Sequence, residues 1–243
     1  MEMGHQMAYG TPLQSPLVSV VGDCFCVPYL IDLSVKKAMR CLSDTRVDVR
    51  DVTGNLLFQT RGSLWQLNKK RIMLDPAGFP VVTLREKALS CRHRWTVHRG
   101  ESSDAGSLLY SVQRSHPLQM KTRLDVFLPG NVRADVPDFQ VIGCYSSQSF
   151  RVYRGEMVIA EVSRTDPITF QYMSSEQKVL GLGFFFLKQN INSIFITTQV
   201  KDNFKLGSFL AKGHESFGVR VYPGVDYAFI VSLLVILNEN DIF

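Results

Sequence analysis

The fold of this chain is decided by the stretch Tyr227-Ala228-Phe229-Ile230-Val231-Ser232-Leu233-Leu234-Val235-Ile236-Leu237, which follows Asp226 and precedes Asn238. Apart from Ser232 its side chains are aliphatic or aromatic, and a helix that is apolar on every face has to be buried on every face. Asp226 can accept hydrogen bonds from the first free N–H groups of such a helix, and Asn238 can end it. The stretch therefore predicts a core helix over residues 226–238. The side chains expected to form its core contacts are Tyr227, Phe229, Ile230, Leu233, Leu234 and Leu237.

The length of this stretch argues against a membrane span. A helix rises about 1.5 Å per residue, so eleven residues cover roughly 16 Å, whereas the hydrocarbon core of a bilayer is about 30 Å thick. No transmembrane span is predicted. The apolar helix has to be covered by the rest of the chain instead.

The composition predicts an intracellular globular protein. Hydrophobic residues make up 45% and charged residues 20% of the chain, as in ordinary globular domains. No signal peptide opens the sequence, and an odd number of irregularly spaced cysteines argues against a disulfide framework. We therefore expect a monomer with free thiols in the cytoplasm, at the periphery of the plasma membrane or in the nucleus. The cysteines are Cys24, Cys26, Cys41, Cys91 and Cys144.

No catalytic residue, metal site or cofactor is predicted. The pair in Cys24-Phe25-Cys26 lacks a second pair or a nearby His, so it is better explained by two side chains on one face of a strand. The motifs of serine hydrolases, zinc proteases and phosphate loops do not occur. Asp125, in an apolar strand, is best explained by pairing with Lys121 or Arg123. Three histidines of the hairpins lack a spaced Cys or carboxylate partner: His93, His98 and His116.

The pattern of short apolar runs predicts an all-β domain. Residues 1–16 lack periodicity and predict a disordered tail. From Leu17 onward, alternating or apolar runs recur roughly every 8 to 12 residues, and we expect one domain over residues 17–243. One helical segment is predicted early on, Ser34–Cys41, with Ser34 as its N-cap. The predicted strands are 46–51, 56–60, 71–75, 80–85, 95–99, 108–112, 124–128, 139–143, 150–154, 157–162 and 218–222.

Strand number and helix together predict a specific architecture. Barrels of about eight strands are filled by side chains alone, and barrels of about sixteen strands are open. A barrel near twelve strands has a bore that one helix, about 10 Å wide, can fill. We therefore predict a mainly β protein: a closed barrel of about twelve strands around the hydrophobic C-terminal helix.

A concentration of positive charge in the hairpins predicts a phosphate-binding surface. Nine Lys or Arg and two acidic residues lie between Arg61 and Arg99, a local charge of +7 in a chain of net charge +5. Such a segment can meet lipid headgroups or, as a less favoured partner, nucleic acid. The plain alternative is a solvated face of hairpins. Trp65 and Trp95 fit an interfacial surface too, although core packing is favoured for both. The candidate lipid-binding residues are Lys69, Lys70, Arg71, Arg92 and Arg94.

Several stretches, spread from about Cys24 to Glu239, resemble the plant LURP-one-related family. The resemblance implies the tubby C-terminal fold, a β-barrel closed around a hydrophobic C-terminal helix. It also implies kinship with tubby-like phosphoinositide-binding, membrane-tethered transcription factors and with phospholipid scramblases, and an association with plant defence. The matching stretches are 25–29, 51–58, 80–87, 94–95, 99–100, 118–128 and 221–229.

One segment departs from the family pattern. The family passes almost directly from a segment like Val179-Leu180-Gly181 to one like Glu215-Ser216-Phe217, whereas residues 182–213 intervene here. A loop of this length and apolarity is unusual on a globular domain. Three explanations stay open: a loop that contacts a membrane, an additional β-hairpin, or an intron that was translated in the gene model.

Two functional hypotheses follow from the sequence. The preferred one is a non-enzymatic barrel that docks reversibly on anionic phospholipid headgroups or on a protein partner. The alternative is a protein-interaction module in stress or defence signalling that does not bind lipid. An enzyme or small-ligand carrier would need a cavity, for which a helix filling the bore leaves little room.

Overall fold

The computed structural model describes residues 17–41, 44–62, 69–87, 90–116, 122–144, 149–164 and 214–239. Twelve antiparallel strands form a closed barrel in which neighbours along the chain pair and β12 pairs with β1. The helix α1, Tyr227–Glu239, fills the bore. The predicted closed barrel around a C-terminal helix is confirmed. The strands are β1 Ile31–Cys41, β2 Asp44–Asp51, β3 Leu56–Arg61, β4 Lys70–Leu74, β5 Pro80–Glu86, β6 Trp95–Arg99, β7 Leu108–Arg114, β8 Thr122–Phe127, β9 Phe139–Cys144, β10 Ser149–Arg154, β11 Met157–Arg164 and β12 His214–Val221.

The helix forms the centre of the hydrophobic core. Every side chain from Ala228 to Leu237 is at most 5% exposed, and the alternate, inward-facing side chains of the strands pack around them. Phe229 contacts the rings of Tyr110 and Phe139 at centroid distances of 5.1 and 5.0 Å. Tyr227 is half-buried and packs at the edge of this core. The strands of the barrel therefore cover the apolar side chains of α1, as lipid tails would cover those of a membrane span.

Asp226 joins the start of the helix to the N-terminal segment. Its Oδ1 accepts a hydrogen bond from the Phe229 N–H at 2.9 Å, as expected of an N-cap. Its Oδ2 accepts three more, from the N–H groups of Val20, Val21 and Gly22 at 3.1, 2.6 and 3.0 Å. The carboxylate is fully buried. It therefore closes this end of the barrel as well as capping the helix.

One sequence-based prediction of local structure is wrong, and one helix boundary differs by a single residue. The segment Ser34–Cys41 belongs to strand β1, although the spacing of Val35, Ala38 and Met39 fits a helical turn. It pairs with β2 on one side and β12 on the other, and these ladders override the weak local preference. At the other end of the chain, α1 continues through Asn238 to Glu239. The predicted tail and the predicted insertion lie outside the described residues.

A buried hydrogen bond between barrel and helix provides a first stability prediction. Ser232 Oγ donates to the Phe229 carbonyl at 2.7 Å, so the Tyr110 hydroxyl donates to Ser232 Oγ, 2.5 Å away. Burial raises the pKa of Tyr110 far above its ordinary value, which keeps this donor protonated. We expect Tyr110→Phe to lower the free energy of unfolding by about 1 kcal/mol in urea titrations.

The exposed Tyr29 is the matched control for this substitution, because it is 60% exposed. Tyr29→Phe should leave the urea midpoint unchanged. Equal midpoints for Tyr110→Phe and the unsubstituted protein would show that the barrel–helix hydrogen bond adds nothing to stability.

Candidate anion-binding site at the basic rim

The barrel end that surrounds the C-terminus of α1 is strongly basic. Cations occupy the strand ends from β3 to β8 at this end, and we call them the basic rim. Among the described residues of these strand ends, Glu86 is the one carboxylate. The rim therefore has a large local excess of positive charge. Its members are Arg61, Lys69, Lys70, Arg85, Lys87, Arg92, Arg94, Arg114 and Arg123.

Arg71 is not part of this surface, which corrects one of the lipid-binding predictions. Its side chain is 1% exposed and binds the carboxylate of Glu239, the last residue of α1. Nε lies 2.8 Å from Oε1 and Nη2 lies 3.0 Å from Oε2. This bidentate geometry fixes β4 to the helix. A lipid headgroup cannot reach the guanidinium group while the barrel is folded.

Lys69 and Lys70 line the rim but already contact oxygen atoms. Lys69 Nζ donates to the Glu239 carbonyl at 3.0 Å and lies 3.8 Å from Glu86 Oε2. A cation suits this position because the end of a helix carries partial negative charge. Lys70 Nζ lies 3.5 Å from Glu101, whose side chain is 61% exposed. Both lysines are half-buried.

Arg92 and Arg94 are exposed on a turn that backbone hydrogen bonds hold in place. The Lys87 N–H donates to the Arg94 carbonyl at 2.7 Å, and the Arg114 N–H donates to the Arg92 carbonyl at 2.9 Å. The first bond joins the turn to the end of β5, and the second joins it to β7. The two arginines therefore extend into solvent from a fixed backbone.

Glu86 lies between the turn and β4. Its Oε1 is 3.0 Å from His93 Nδ1, and its Oε2 faces Lys69. The Glu86 side chain is only 15% exposed. The sequence prediction missed this role, and also the rim positions of Arg114 and Arg123. The sequence contained part of the information needed, because Glu86, Arg114 and Arg123 each lie at or next to a strand end.

Among the described residues, neither a cavity in the barrel interior nor a groove on the outer wall offers a comparable site. Beside α1 lies an apolar cavity of about 20 Å³, lined by Val35, Phe217 and Leu234 among others, which is too small for a ligand. A groove of about 320 Å³ crosses the outside of β1 and β10–β12. Its charges are already paired across strands: Asp32 with Arg220 and Glu161 with Arg151, both at 2.9 Å.

The candidate catalytic side chains have contacts that are typical of a structural role. Asp125 accepts a hydrogen bond from Gln140 on the next strand at 3.0 Å. His98 is buried in β6 with Nδ1 3.1 Å from Ser107 Oγ. Burial, assisted by the nearby Asp226 carboxylate, raises the pKa of Cys26 to about 11, so its thiolate is scarce at neutral pH. Trp95 is fully buried in the core, and Trp65 lies outside the described residues.

Neither a metal-binding cluster nor a membrane-spanning helix is present among the described residues. No three His, Cys, Asp or Glu side chains of the described residues lie close enough together to hold a metal ion. No helix among these residues has the length and apolarity needed to cross a bilayer.

Comparison with known proteins gives a consistent result. The family model described as LURP-one-related matches residues 31–180. Protein LURP-one-related 14 of Arabidopsis thaliana is 38% identical over 229 residues, covering 93% of this chain and 92% of that protein. LURP-one-related 15 is also 38% identical, covering 95% and 89%, and LURP1 is 34% identical, covering 93% and 91%, both from the same plant.

A solved structure supports the same assignment. An X-ray structure of an Arabidopsis thaliana protein matches with a TM-score of 0.58 and 33% identity, covering 92% of this chain and 98% of the other. The relatives and the solved structure match more than nine tenths of the chain, and the family model matches residues 31–180. The chain therefore belongs to the LURP-one-related family.

Proposed function

We propose that this protein is a non-enzymatic docking module whose basic rim binds anionic phospholipid headgroups reversibly. The observation that carries the proposal is the fixed turn that exposes Arg92 and Arg94 and that is linked through His93 and Glu86 to Lys69. Guanidinium groups bind phosphate through paired hydrogen bonds, and lysines add point charge. A cation near an anionic membrane surface contributes about 1 kcal/mol. Several cations on one face can therefore hold the protein at a membrane without insertion.

The family context and the thiols support this proposal. The resemblance to tubby-like phosphoinositide-binding proteins and phospholipid scramblases favours the same ligand class, and a role in plant defence. The four cysteines whose side chains the structure describes are free thiols, which fits the reducing cytoplasm or nucleus. We infer a monomer that moves between these compartments and the inner face of the plasma membrane.

Charge reversal at the rim tests the lipid role. In sedimentation assays with phosphatidylcholine vesicles that contain a phosphoinositide, the triple variant Lys70→Glu, Arg92→Glu and Arg94→Glu should bind about 100-fold more weakly. The estimate is about 1 kcal/mol for each cation lost. Binding of the unsubstituted protein should fall steeply with salt, because exposed charges are screened.

A matched control separates the rim from net charge. Arg133, Arg151 and Arg154 are all exposed and lie on β10 or on the loop before β9, outside the basic rim. Reversing these three gives the same change in net charge and should leave vesicle binding nearly unchanged. Equal loss in both triple variants, or no loss in either, would refute docking through the basic rim.

A second function, docking to a protein without lipid, is favoured by one loop at the barrel end opposite the basic rim. Val132 is 89% exposed and Val136 is 74% exposed. The Asn131 side chain braces this loop, donating to the Val136 carbonyl at 2.7 Å and accepting from the Ala134 N–H at 3.1 Å. A rigid loop that exposes aliphatic side chains is typical of a recognition surface. This function would be favoured if the triple rim variant captured a protein partner and the unsubstituted protein bound no vesicles.

A further inference from the structure

Four cations lie together on the outer wall of β4, β5 and β6, next to the basic rim. In a strand, neighbouring side chains point to opposite faces. Arg71, Leu84 and Trp95 are buried and point into the barrel, so the residues next to them point outward. We call the four outward-facing cations the wall quartet. They are Lys70, Arg85, Lys87 and Arg94.

The members of the wall quartet oppose one another across the strand ladder. Lys70 of β4 is the register partner of Arg85 of β5. The Lys87 N–H donates to the Arg94 carbonyl at 2.7 Å, which continues the register of β5 and β6 by one pair. Each member therefore faces another cation across a pair of strands, and like charges in such positions destabilise a sheet. Barrel stability does not account for this arrangement, which is typical of a functional site.

Carboxylates of the barrel neutralise the wall quartet only in part. Lys70 Nζ lies 3.5 Å from Glu101, whose side chain is 61% exposed, and solvent screens such a pair. Arg85, Lys87 and Arg94 form no ion pair with a carboxylate among the described residues. Arg85 also has a buried Nε without a hydrogen-bond partner in this part of the chain. An unpaired buried donor is uncommon in folded proteins, so this one needs an explanation.

We infer that the wall quartet is a binding site for one phosphate group of the headgroup, and that Arg85 is its anchoring residue. The inference rests on the proposed function. Arg85 and Lys87 lie about 7 Å apart along the strand, a distance that their long side chains can span. A guanidinium group binds phosphate through two parallel hydrogen bonds. When the Arg85 side chain turns toward such a group, its Nε gains the acceptor that the barrel does not supply.

A charge-conserving substitution tests the inference. Arg85→Lys keeps the net charge but removes the planar fork, so it should weaken binding to phosphatidylcholine vesicles that contain a phosphoinositide about tenfold. Arg92→Lys is the matched control, because Arg92 is exposed on the same turn as Arg94 but lies outside the wall quartet. It should bind the vesicles as tightly as the unsubstituted protein does.

Removal of the charge gives a second measurement. Arg85→Gln should bind the same vesicles about 50-fold more weakly, because it loses both the fork and one charge. Arg92→Gln should bind about fivefold more weakly, the effect of one charge alone. Without lipid, Arg85→Gln should not lower the urea midpoint, since it removes the cation opposite Lys70.

The outcomes separate this inference from the proposed function. Equal binding by Arg85→Lys and the unsubstituted protein, or equal losses in the two Gln variants, would overturn the wall quartet as a site and leave membrane docking intact. A lower urea midpoint in Arg85→Gln would overturn it too, by identifying Arg85 as a structural residue. Absence of vesicle binding by the unsubstituted protein overturns both. Inorganic phosphate is titrated without vesicles, and tighter binding of free phosphate than of vesicles would overturn the assignment to a lipid headgroup.

Discussion

Leu234→Asp is expected to leave the protein unfolded or insoluble. Leu234 is 5% exposed, and its neighbours around the small cavity beside α1 include Val35 and Phe217. Lys37 and Asn238 also line this cavity, but Lys37 already has an interaction of its own and the other lining side chains are apolar, so a carboxylate placed there is left largely unpaired. An unpaired buried charge costs several kcal/mol, which is much of the roughly 5 to 15 kcal/mol by which a domain is stable.

Circular dichroism and a solubility assay measure this effect. Leu17→Asp is the matched control, because Leu17 is 58% exposed and should accept the charge without loss of structure. A Leu234→Asp protein that stays folded and is released from membranes would contradict the buried helix. It would identify residues 227–237 as a membrane anchor instead.

Arg71→Met is expected to lower the free energy of unfolding by about 3 to 5 kcal/mol, because it leaves the Glu239 carboxylate buried without its cation. The side chains of Arg71 and Glu239 are 1% and 6% exposed. The double variant Arg71→Met and Glu239→Met should recover most of the loss, since both charges are then absent from the interior. Urea titrations of the two single variants and the double variant give the coupling energy as a thermodynamic cycle.

An exposed ion pair provides the comparison for this cycle. Arg151 and Glu161 lie 2.9 Å apart on the outer wall, with side chains 58% and 35% exposed. Arg151→Met should cause little change in stability, because solvent screens such pairs. If Arg71→Met had as small an effect, the buried pair would not be what holds the end of α1 to β4.

The candidate site was predicted from sequence only in part. A run of positive charge in the hairpins was visible, and Arg92 and Arg94 are exposed as a binding surface requires. Arg71 looked equivalent to Lys70 next to it. In a strand, however, neighbouring side chains point to opposite faces. Arg71 points inward to Glu239, a residue 168 positions away, so its partner could not be inferred from the local sequence.

The fold, like the candidate site, was predicted from the sequence only in part. The apolar stretch before Asn238, the alternation within the hairpins and the N-cap at Asp226 are local properties, so the helix and most of the strands could be predicted from the sequence. The strand β1 was misassigned because short apolar spacing fits a helical turn as well as a strand. Its state depends on pairing with β2 and β12, and β12 begins at His214.

Tertiary structure alone decided three features: that Asp226 also binds the N–H groups of residues 20–22, that Arg71 is buried, and that Glu86 joins the turn to β4. Each depends on groups that closure of the barrel brings together, the first across 204 to 206 positions of the chain. Sequence patterns record the period and polarity of a segment. They do not record which distant strand end will lie beside it, because that is fixed only when the ladder closes around the helix.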